Sequence, residues 1–223
     1  MQLLEHVPFL AALSPDDRRW LHERVRRRTY ARGDIIFQKD DPGQSLFIIE
    51  DGSVRIYVPG AQGVDLTLAV MGQGDFFGDL SLLDGRPRSA SASALAETAL
   101  VSVERSDFTA LLRARPEASL AILAEIAKRV RDTDQMATDL AFLDVSGRLA
   151  RKLSELAVSH GAPRDGGILI DIPLTQEELA NMIGVTRESV NRNLGEFRRL
   201  GFVAREGRRL LIRNPDGLRD YWQ

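Results

Sequence analysis

The chain has 223 residues, of which 43% are hydrophobic and 28% charged, and its formal net charge at neutral pH is −2. This is the composition of a globular protein with an ample core, and the length suits one large domain or two ordinary ones. Because there is no cysteine, disulfides, thiolate zinc sites and cysteine-ligated iron–sulfur clusters are excluded. The first residues show no signal-peptide pattern, and no apolar run reaches the ~18 residues of a membrane helix, so we expect a cytoplasmic protein with no membrane contact.

Charge is distributed unevenly along the chain. Residues 145–223 carry 13 Arg and Lys and 10 Asp and Glu, a net charge of +3, whereas the remainder has a net charge of −5. This modest asymmetry has the direction expected if only the C-terminal part meets a polyanion.

A short helix is predicted near the N-terminus, where the stretch SPDD at 14–17 supplies an N-cap, a proline at N1 and acids in the first turn. From about Thr29 to Val103, short β-branched and aromatic runs alternate with turns that contain glycine. Many short strands at this spacing predict an all-β sandwich or barrel.

From Pro116 the apolar period becomes helical and stays so to about Leu143, far longer than an average helix. A row of residues along it has the 3-4-3-4-3 spacing of a coiled-coil seam: Leu123, Ile126, Val130, Thr133, Ala137 and Leu140. The alternative is a helix packed only on its own domain, but the length and the regular spacing favour a dimer seam.

Next come a predicted helix at about Val145 to Ser159, a glycine-rich loop in GAPRDGG and a strand in ILIDIP. Thr175 can then cap another helix while Glu178 reaches back to it, which is a capping box.

The segment from 175 to 203, TQEELANMIGVTRESVNRNLGEFRRLGFV, has helix-turn-helix spacing. Gly184 allows a tight turn between the helices, and Thr186 caps the second one. The residues predicted to face inward are Leu179, Ala180 and Ile183 in the first helix and Val190, Leu194 and Phe197 in the second.

The opposite face of the second helix is polar in its first two turns, where a recognition helix touches base edges. Arginine there can bind guanine O6 and N7, and glutamate can accept from cytosine N4. A buried helical hairpin with a solvated charged face would show some of these features, but it does not require the cap, the turn and the Arg-Glu pair together. We therefore predict binding to double-stranded DNA. The candidate DNA-binding residues are Thr175, Gln176, Thr186, Arg187, Glu188, Asn191 and Arg192.

The following stretch, FVAREGRRLLIRN, predicts two strands around Glu206-Gly207, with Arg205, Arg208 and Arg209 at or near the turn. A winged helix-turn-helix uses such a hairpin to touch phosphates. An ordinary basic surface hairpin is the alternative.

Three stretches resemble the cyclic AMP receptor protein and FNR (Crp/Fnr) family of bacterial transcription regulators. FGDLSL at 77–82 with PRSA at 87–90 resembles the phosphate-binding cassette of that family, LAFLDVSGR at 140–148 its hinge, and TRESVNR at 186–192 its recognition helix. The order of elements matches over nearly the whole chain. The resemblance implies an α+β fold: an N-terminal β jelly-roll cyclic-nucleotide-binding domain at 1–116, a dimerisation helix and hinge at 117–143, and a winged helix-turn-helix at 144–223.

The resemblance also implies roles in the cassette. Arg88 would pair with the cyclic phosphate, and Ser89 would donate its hydroxyl to the same group. Backbone N–H groups after Gly78, that of Leu80 among them, would assist. Asp79 would accept a hydrogen bond from the ribose 2′-hydroxyl.

On the long helix, Thr133 would reach the purine base, with Asp134 beside it. Members that bind cyclic AMP usually have glutamate in place of Asp79 and serine in place of Asp134. An aspartate at 134 could accept from adenine N6 or from guanine N1 and N2. Cyclic AMP is the first prediction, and cyclic GMP, cyclic di-GMP and a regulator that needs no ligand are the alternatives.

Other branches of the family depend on groups that this sequence does not supply. The oxygen-sensing branch uses cysteines, and the haem branch needs an axial ligand, whereas His6, His22 and His160 all lie outside the cassette and the long helix. We predict no metal, no haem and no iron–sulfur cluster.

We also predict that the protein is not an enzyme, since the sequence shows no nucleophile–base constellation and no Walker loop. The combined prediction is a homodimeric regulator that binds a TGTGA-type palindrome under allosteric control by cyclic AMP, with RNA polymerase as a further partner. The alternative of another class is a nucleotide-binding regulatory module that does not act on DNA, and the helix-turn-helix argues against it.

Overall fold

The computed structural model describes residues 7, 10, 13–60, 64–172, 174–207 and 209–222. The chain divides into two units, each with its own internal packing. The first comprises residues 1–59 and 68–132, and the second comprises residues 60–67 and 133–223. Among the described residues, none of the helices combines the length and the apolarity that crossing a membrane requires.

The first unit is built from short strands followed by helices. Its strands are β1 Arg26–Tyr30, β2 Ile35–Phe37, β3 Ser45–Asp51, β4 Val54–Val58, β5 Leu66–Met71, β6 Phe76–Phe77, β7 Ser91–Ala94 and β8 Thr98–Glu104. Its helices are α1 Pro15–His22, α2 Asp79–Asp84, α3 Arg105–Ala114 and α4 Pro116–Phe142. Strand β5 and helix α4 each cross a boundary between the two units.

The strands form two four-stranded sheets, in the orders β1-β8-β3-β6 and β2-β7-β4-β5. Buried side chains from both sheets, including Ile49, Phe77 and Ala92, form the core between them. A second core contains Ile48 and Val101 of the first sheet together with side chains from α1, α3 and α4. The predicted β jelly roll is confirmed.

Local signals explain only some of the element boundaries in this unit. Ser14 and Asp17 form a capping box at the start of α1, and Pro15 occupies its first turn as predicted. Strand β1 begins at Arg26, three residues before the predicted start of the strands. Helix α3 was not predicted, because its N-cap Glu104 makes no side-chain capping hydrogen bond that a sequence pattern would reveal.

The second unit contains α5 Val145–His160, β9 Gly161–Arg164, β10 Gly167–Ile170, α6 Gln176–Ile183, α7 Arg187–Arg199, β11 Val203–Glu206, β12 Arg209–Ile212 and α8 Pro215–Arg219. The four strands form a sheet in the order β11-β12-β10-β9. Asp144 caps α5, and its Oδ1 accepts from the backbone N–H of Gly147 at 2.8 Å. This bond and one from Ser146 lower the pKa of Asp144 below its usual range.

The prediction of a loop in GAPRDGG is wrong in part, because residues 161–164 form β9 and pair with β10. The two strands are joined by Asp165-Gly166, and Gly166 has φ +81°, as expected for an Asp-Gly hairpin turn. Pro163 obscured the strand, but β9 lies at the sheet edge, where a missing N–H is tolerated.

Candidate ligand and DNA-binding sites

Arg88 is buried in the cassette, with 4% of its surface exposed. Its Nη1 donates to the backbone carbonyl of Gly78 and its Nη2 to that of Ser45, both at 2.7 Å. These bonds use two of the five N–H donors of a guanidinium. Among the described residues the Nε of Arg88 has no hydrogen-bond partner, so the cassette holds a buried cation with donors to spare.

Aromatic rings lie next to this cation. The Arg88 guanidinium carbon is 4.3 Å from the ring centroid of Phe37 and 5.7 Å from that of Phe47. Phe77 packs against both rings. Burial lowers the pKa of Arg88, and the negative charges of Asp41 and Asp79 oppose that shift; arginine stays protonated in proteins, so the cation persists.

Two glycines allow the backbone to approach this guanidinium closely. Gly78 has φ +81°, and a Cβ at this position would lie 2.6 Å from Arg88 Nη1. A Cβ at Gly43 would lie 2.2 Å from the Cβ of Ser81 and 3.3 Å from the Arg88 guanidinium carbon. Any side chain at either position would therefore displace Arg88 or α2.

Asp79 is the first residue of α2, and its side chain is 2% exposed. Its Oδ1 accepts from Nη1 of Arg129 on α4 at 2.8 Å. Arg129 also donates to the backbone carbonyl of Phe76 and lies over its ring. The second carboxylate oxygen, Oδ2, is buried and has no hydrogen-bond partner among the described residues.

The other candidate ligand residues are more accessible. Ser89 and Leu80 are exposed next to Arg88 and Asp79 in the chain. Thr133 and Asp134 are exposed on α4 and belong to the second unit.

Sequence reasoning missed Arg129, Phe37 and Ser45. Arg129 lies four residues before Thr133, one helical turn away on the same face of α4, and this spacing could have revealed it. Phe37 and the carbonyl of Ser45 contact Arg88 only through tertiary packing. No local sequence pattern predicts these two contacts.

In the second unit, α6 and α7 form the helix-turn-helix on a shared core with α5. Gly184 ends α6 with φ +65°, and Thr186 Oγ1 caps α7 by accepting from the Ser189 N–H at 3.3 Å. Arg148 of α5 donates through Nη1 to the carbonyl of Ile183 at 2.9 Å. The turn between α6 and α7 is thus held by Gly184 at its start, by the Thr186 cap at its end and by the hydrogen bond from Arg148 of α5.

The structure confirms which residues face inward: Leu179, Ala180, Ile183, Val190, Leu194 and Phe197 are all buried. The opposite face of α7 is open, with Arg187, Glu188, Asn191 and Arg192 all exposed. Thr175 and Gln176 start α6, and Gln176 Nε2 donates to Asn191 Oδ1 at 2.9 Å.

Strands β11 and β12 form the predicted wing. Arg205 Nε donates to the carbonyl of Gly207 at 2.9 Å, and Arg209 pairs with Asp171. Arg208 lies outside the described residues.

A jelly roll that contains a buried arginine, followed by a winged helix-turn-helix with a charged outer face, defines a DNA-binding transcription regulator with a cyclic-nucleotide-binding domain. Residues 27–115 match the family model of the cyclic nucleotide-binding domain, and residues 147–221 match that of the Crp-like helix-turn-helix domain.

Whole-chain relatives agree with this class. The chain is 34% identical to the CRP-like cAMP-activated global transcriptional regulator of Mycobacterium tuberculosis, over 97% of each chain. It is 35% identical to the cyclic AMP receptor protein of Thermus thermophilus, over 88% of each chain. Among solved structures, the c-di-GMP responsive global regulator CLP of Xanthomonas campestris matches with a TM-score of 0.79 and 25% identity, over 89% of this chain and 99% of that one. This chain belongs to the Crp/Fnr family of transcription regulators.

Proposed function

We propose that this protein is a homodimeric regulator that binds a cyclic nucleotide, with cyclic AMP as the first candidate, and thereby changes its affinity for a TGTGA-type DNA palindrome. One observation supports the proposal that the protein binds a cyclic nucleotide. In the cassette, a buried donor, Arg88 Nε, and a buried acceptor, Asp79 Oδ2, both lack partners among the described residues.

These two atoms match the chemistry of a cyclic nucleotide. A phosphate oxygen would accept from Arg88 Nε and from the guanidinium hydrogens that Gly78 and Ser45 leave unused. A ribose hydroxyl would donate to Asp79 Oδ2. Since an unpaired buried polar atom costs about 1–3 kcal/mol, a ligand that pairs both atoms recovers that free energy.

The names of the relatives favour cyclic AMP, because the two curated relatives at 34% and 35% identity are named as a cAMP-activated regulator and a cyclic AMP receptor. The regulator from Xanthomonas campestris is named as c-di-GMP responsive. Cyclic di-GMP is therefore a second candidate ligand, and cyclic GMP is a third because of Asp134.

Exposed apolar residues on α4 support the dimer. Leu123 is 58% exposed and Val130 is 53% exposed, and both belong to the row with coiled-coil spacing. A second copy of the helix would cover them. Ile126 of the same row instead packs partly on the core of the first unit.

In the dimer, two recognition helices about 34 Å apart would read the two half-sites of a palindrome. The ligand can change this arrangement only if it binds one arrangement of the helices more tightly than the other. RNA polymerase is the further partner that we propose, on the family resemblance.

Calorimetric titration tests the ligand. Cyclic AMP, cyclic GMP and cyclic di-GMP are titrated into the wild type, Asp79→Asn, Arg88→Lys and the control Arg86→Ala, an exposed arginine in the same loop. We expect cyclic AMP to bind best, with affinity lowered at least about tenfold by Asp79→Asn and by Arg88→Lys, and unchanged by Arg86→Ala. Equal affinity in all four proteins would contradict the cassette assignment, and thermal unfolding checks that each variant is folded.

Fluorescence anisotropy with a TGTGA palindrome and a scrambled duplex tests the DNA part at one fixed salt concentration. We expect cyclic AMP to tighten binding to the palindrome only, and Arg187→Ala to remove that selectivity. Equal binding with and without every nucleotide would support the regulator that needs no ligand.

Sedimentation of Val130→Glu tests the dimer, since a buried charge at the seam should yield monomers.

A further inference from the structure

The side-chain amides of Gln176 and Asn191 link the first turn of α6 to the second turn of the recognition helix α7. The hydrogen bond runs from Gln176 Nε2 to Asn191 Oδ1 at 2.9 Å, between residues 15 positions apart. It lies on the exposed side of the helix-turn-helix, where the structure leaves Asn191 open.

The donor side of this bond is held in place. Gln176 follows Thr175, whose backbone N–H and hydroxyl both bond Glu178 Oε2, at 2.7 and 2.8 Å, in a complete capping box. The Gln176 side chain is partly buried and lines a small cleft with Leu179 and Leu194. Its stem therefore lies beside apolar side chains of both helices of the helix-turn-helix.

The bond to Asn191 Oδ1 determines which hydrogen-bonding groups of Asn191 are left for DNA. An asparagine with a free Oδ1 and a free Nδ2 reads adenine, accepting from N6 and donating to N7. Here Oδ1 faces Gln176 of α6 and one of its two lone pairs is used. The bidentate contact with adenine needs Oδ1 and Nδ2 both directed at the base, so it would compete with the bond to Gln176. The Nδ2 group carries two N–H donors, which match the two acceptors of guanine, N7 and O6.

We infer that Gln176 is a positioning residue for DNA sequence recognition. Its amide holds Oδ1 of Asn191, so that Asn191 presents N–H donors to the major groove and selects guanine over adenine at one position of the half-site. The inference rests on the proposed DNA-binding function and adds a specificity determinant to it.

Site selection from a randomised duplex library tests this with the full-length chain, in the presence of cyclic AMP and in its absence. The proteins are the wild type, Gln176→Ala, Asn191→Ala, the double variant and the control Glu177→Ala, which removes an exposed neighbour in the same turn. In the wild type and the control we expect guanine at one half-site position. Gln176→Ala should shift that position toward adenine by about tenfold, and Asn191→Ala should abolish the preference.

Two further readouts separate positioning from other roles. The double variant should behave as Asn191→Ala does, because Gln176 acts only through Asn191. The slope of affinity against salt should stay the same in Gln176→Ala, whereas loss of a phosphate contact by a charged group would reduce it. Circular dichroism melting confirms that the variants fold.

The outcomes are distinguishable. An unchanged base preference in Gln176→Ala, at a position that Asn191→Ala does alter, overturns this inference alone, as does a uniform loss of affinity for all sequences. If the wild type enriches no sequence under either condition, the proposed DNA-binding function fails, and this inference fails with it.

Discussion

Arg129 and Asp79, 50 positions apart in the chain, form an ion pair in which Nη1 lies 2.8 Å from Oδ1. The pair joins the cassette helix α2 to the long helix α4 within the first unit. Asp79 is almost fully buried, whereas Arg129 is 30% exposed. The carboxylate that the family resemblance assigns to the ribose is therefore also the ion-pair partner of Arg129 on α4. A ligand that bonds Asp79, as we propose, would act directly on the helix that carries the proposed dimer seam.

Removing Arg129 should destabilise the protein more than removing the whole pair. Arg129→Ala leaves the buried Asp79 carboxylate without its hydrogen-bonded ion-pair partner, which costs about 3–5 kcal/mol of unfolding free energy. The double variant with Asp79→Ala should recover part of that loss. Urea unfolding of the two single variants and the double variant measures the coupling, and additive losses would show that the pair contributes nothing of its own.

Substitution of Gly78 should affect ligand binding, while the same change at Gly85 should affect only stability. Both glycines have positive φ, +81° and +74°, and alanine there costs about 1–2 kcal/mol. Only at Gly78 would the new Cβ lie 2.6 Å from Arg88 Nη1; at Gly85 the nearest atom is Arg105 Nη2 at 3.3 Å. Calorimetry with cyclic AMP should show lost affinity in Gly78→Ala alone, and equal affinities in the two variants would contradict this.

Acid should weaken the anchor between α1 and the segment that joins α3 to α4. The hydrogen bonds from Arg115 and Ser14 lower the pKa of Asp17 to about 2, whereas an unfolded aspartate titrates near 3.9. The stabilisation is therefore complete above about pH 4 and is lost as the pH falls towards 2.

The measurement is urea unfolding at pH 6, 4 and 3. Between these pH values the wild type should lose more stability than Asp17→Asn, which has no such group to protonate. The control is Asp16→Asn, whose exposed side chain lies 3.8 Å from Arg19. Asp16→Asn should lose as much unfolding free energy as the wild type does between these pH values. Equal losses in all three proteins would contradict the prediction.

An ion pair between α4 and α5 should restrain the hinge that we predict at 140–148. Arg151 of α5 lies 3.1 Å from Asp139 of α4 and stacks on Trp222 at 5.0 Å. Arg151→Ala should speed amide hydrogen exchange at 140–148, because one link between the two helices is lost. The control is Lys152→Ala, which removes only a pair within α5. Unchanged exchange in Arg151→Ala would mean that the hinge is held by other contacts.

Alanine at Gly195 should stabilise the protein by up to about 1 kcal/mol, because glycine is a poor helix former. Apart from its chain neighbours and its own helix backbone, no atom of the described residues lies within 4 Å of the added Cβ. Gly147→Ala is the matched contrast: its Cβ would lie 2.7 Å from the carbonyl oxygen of Tyr221, and it should destabilise. Thermal unfolding of the two variants should give shifts of opposite sign. A lower melting temperature for Gly195→Ala would contradict the prediction.

Local signals were enough for much of this molecule. The capping residues Ser14, Thr175 and Thr186, and Gly184 in the turn, act on backbone atoms a few positions away, so their roles can be predicted without tertiary structure. Strand β9 was not predicted, because a proline such as Pro163 usually argues against a strand. Helix α3 was not predicted, because its N-cap Glu104 makes no side-chain capping hydrogen bond.

The sequence by itself determined most of the order of elements, the helix-turn-helix and the presence of Arg86 and Arg88 in a glycine-bounded cassette, because periodicity, caps and turns are local properties. Only the tertiary structure decided that Arg88 is held by the carbonyls of Gly78 and Ser45, that Asp79 is neutralised by Arg129, and that Gln176 holds Asn191. These contacts join residues between 10 and 50 positions apart. They depend on which element packs beside which, and that is settled by burying the whole apolar surface at once.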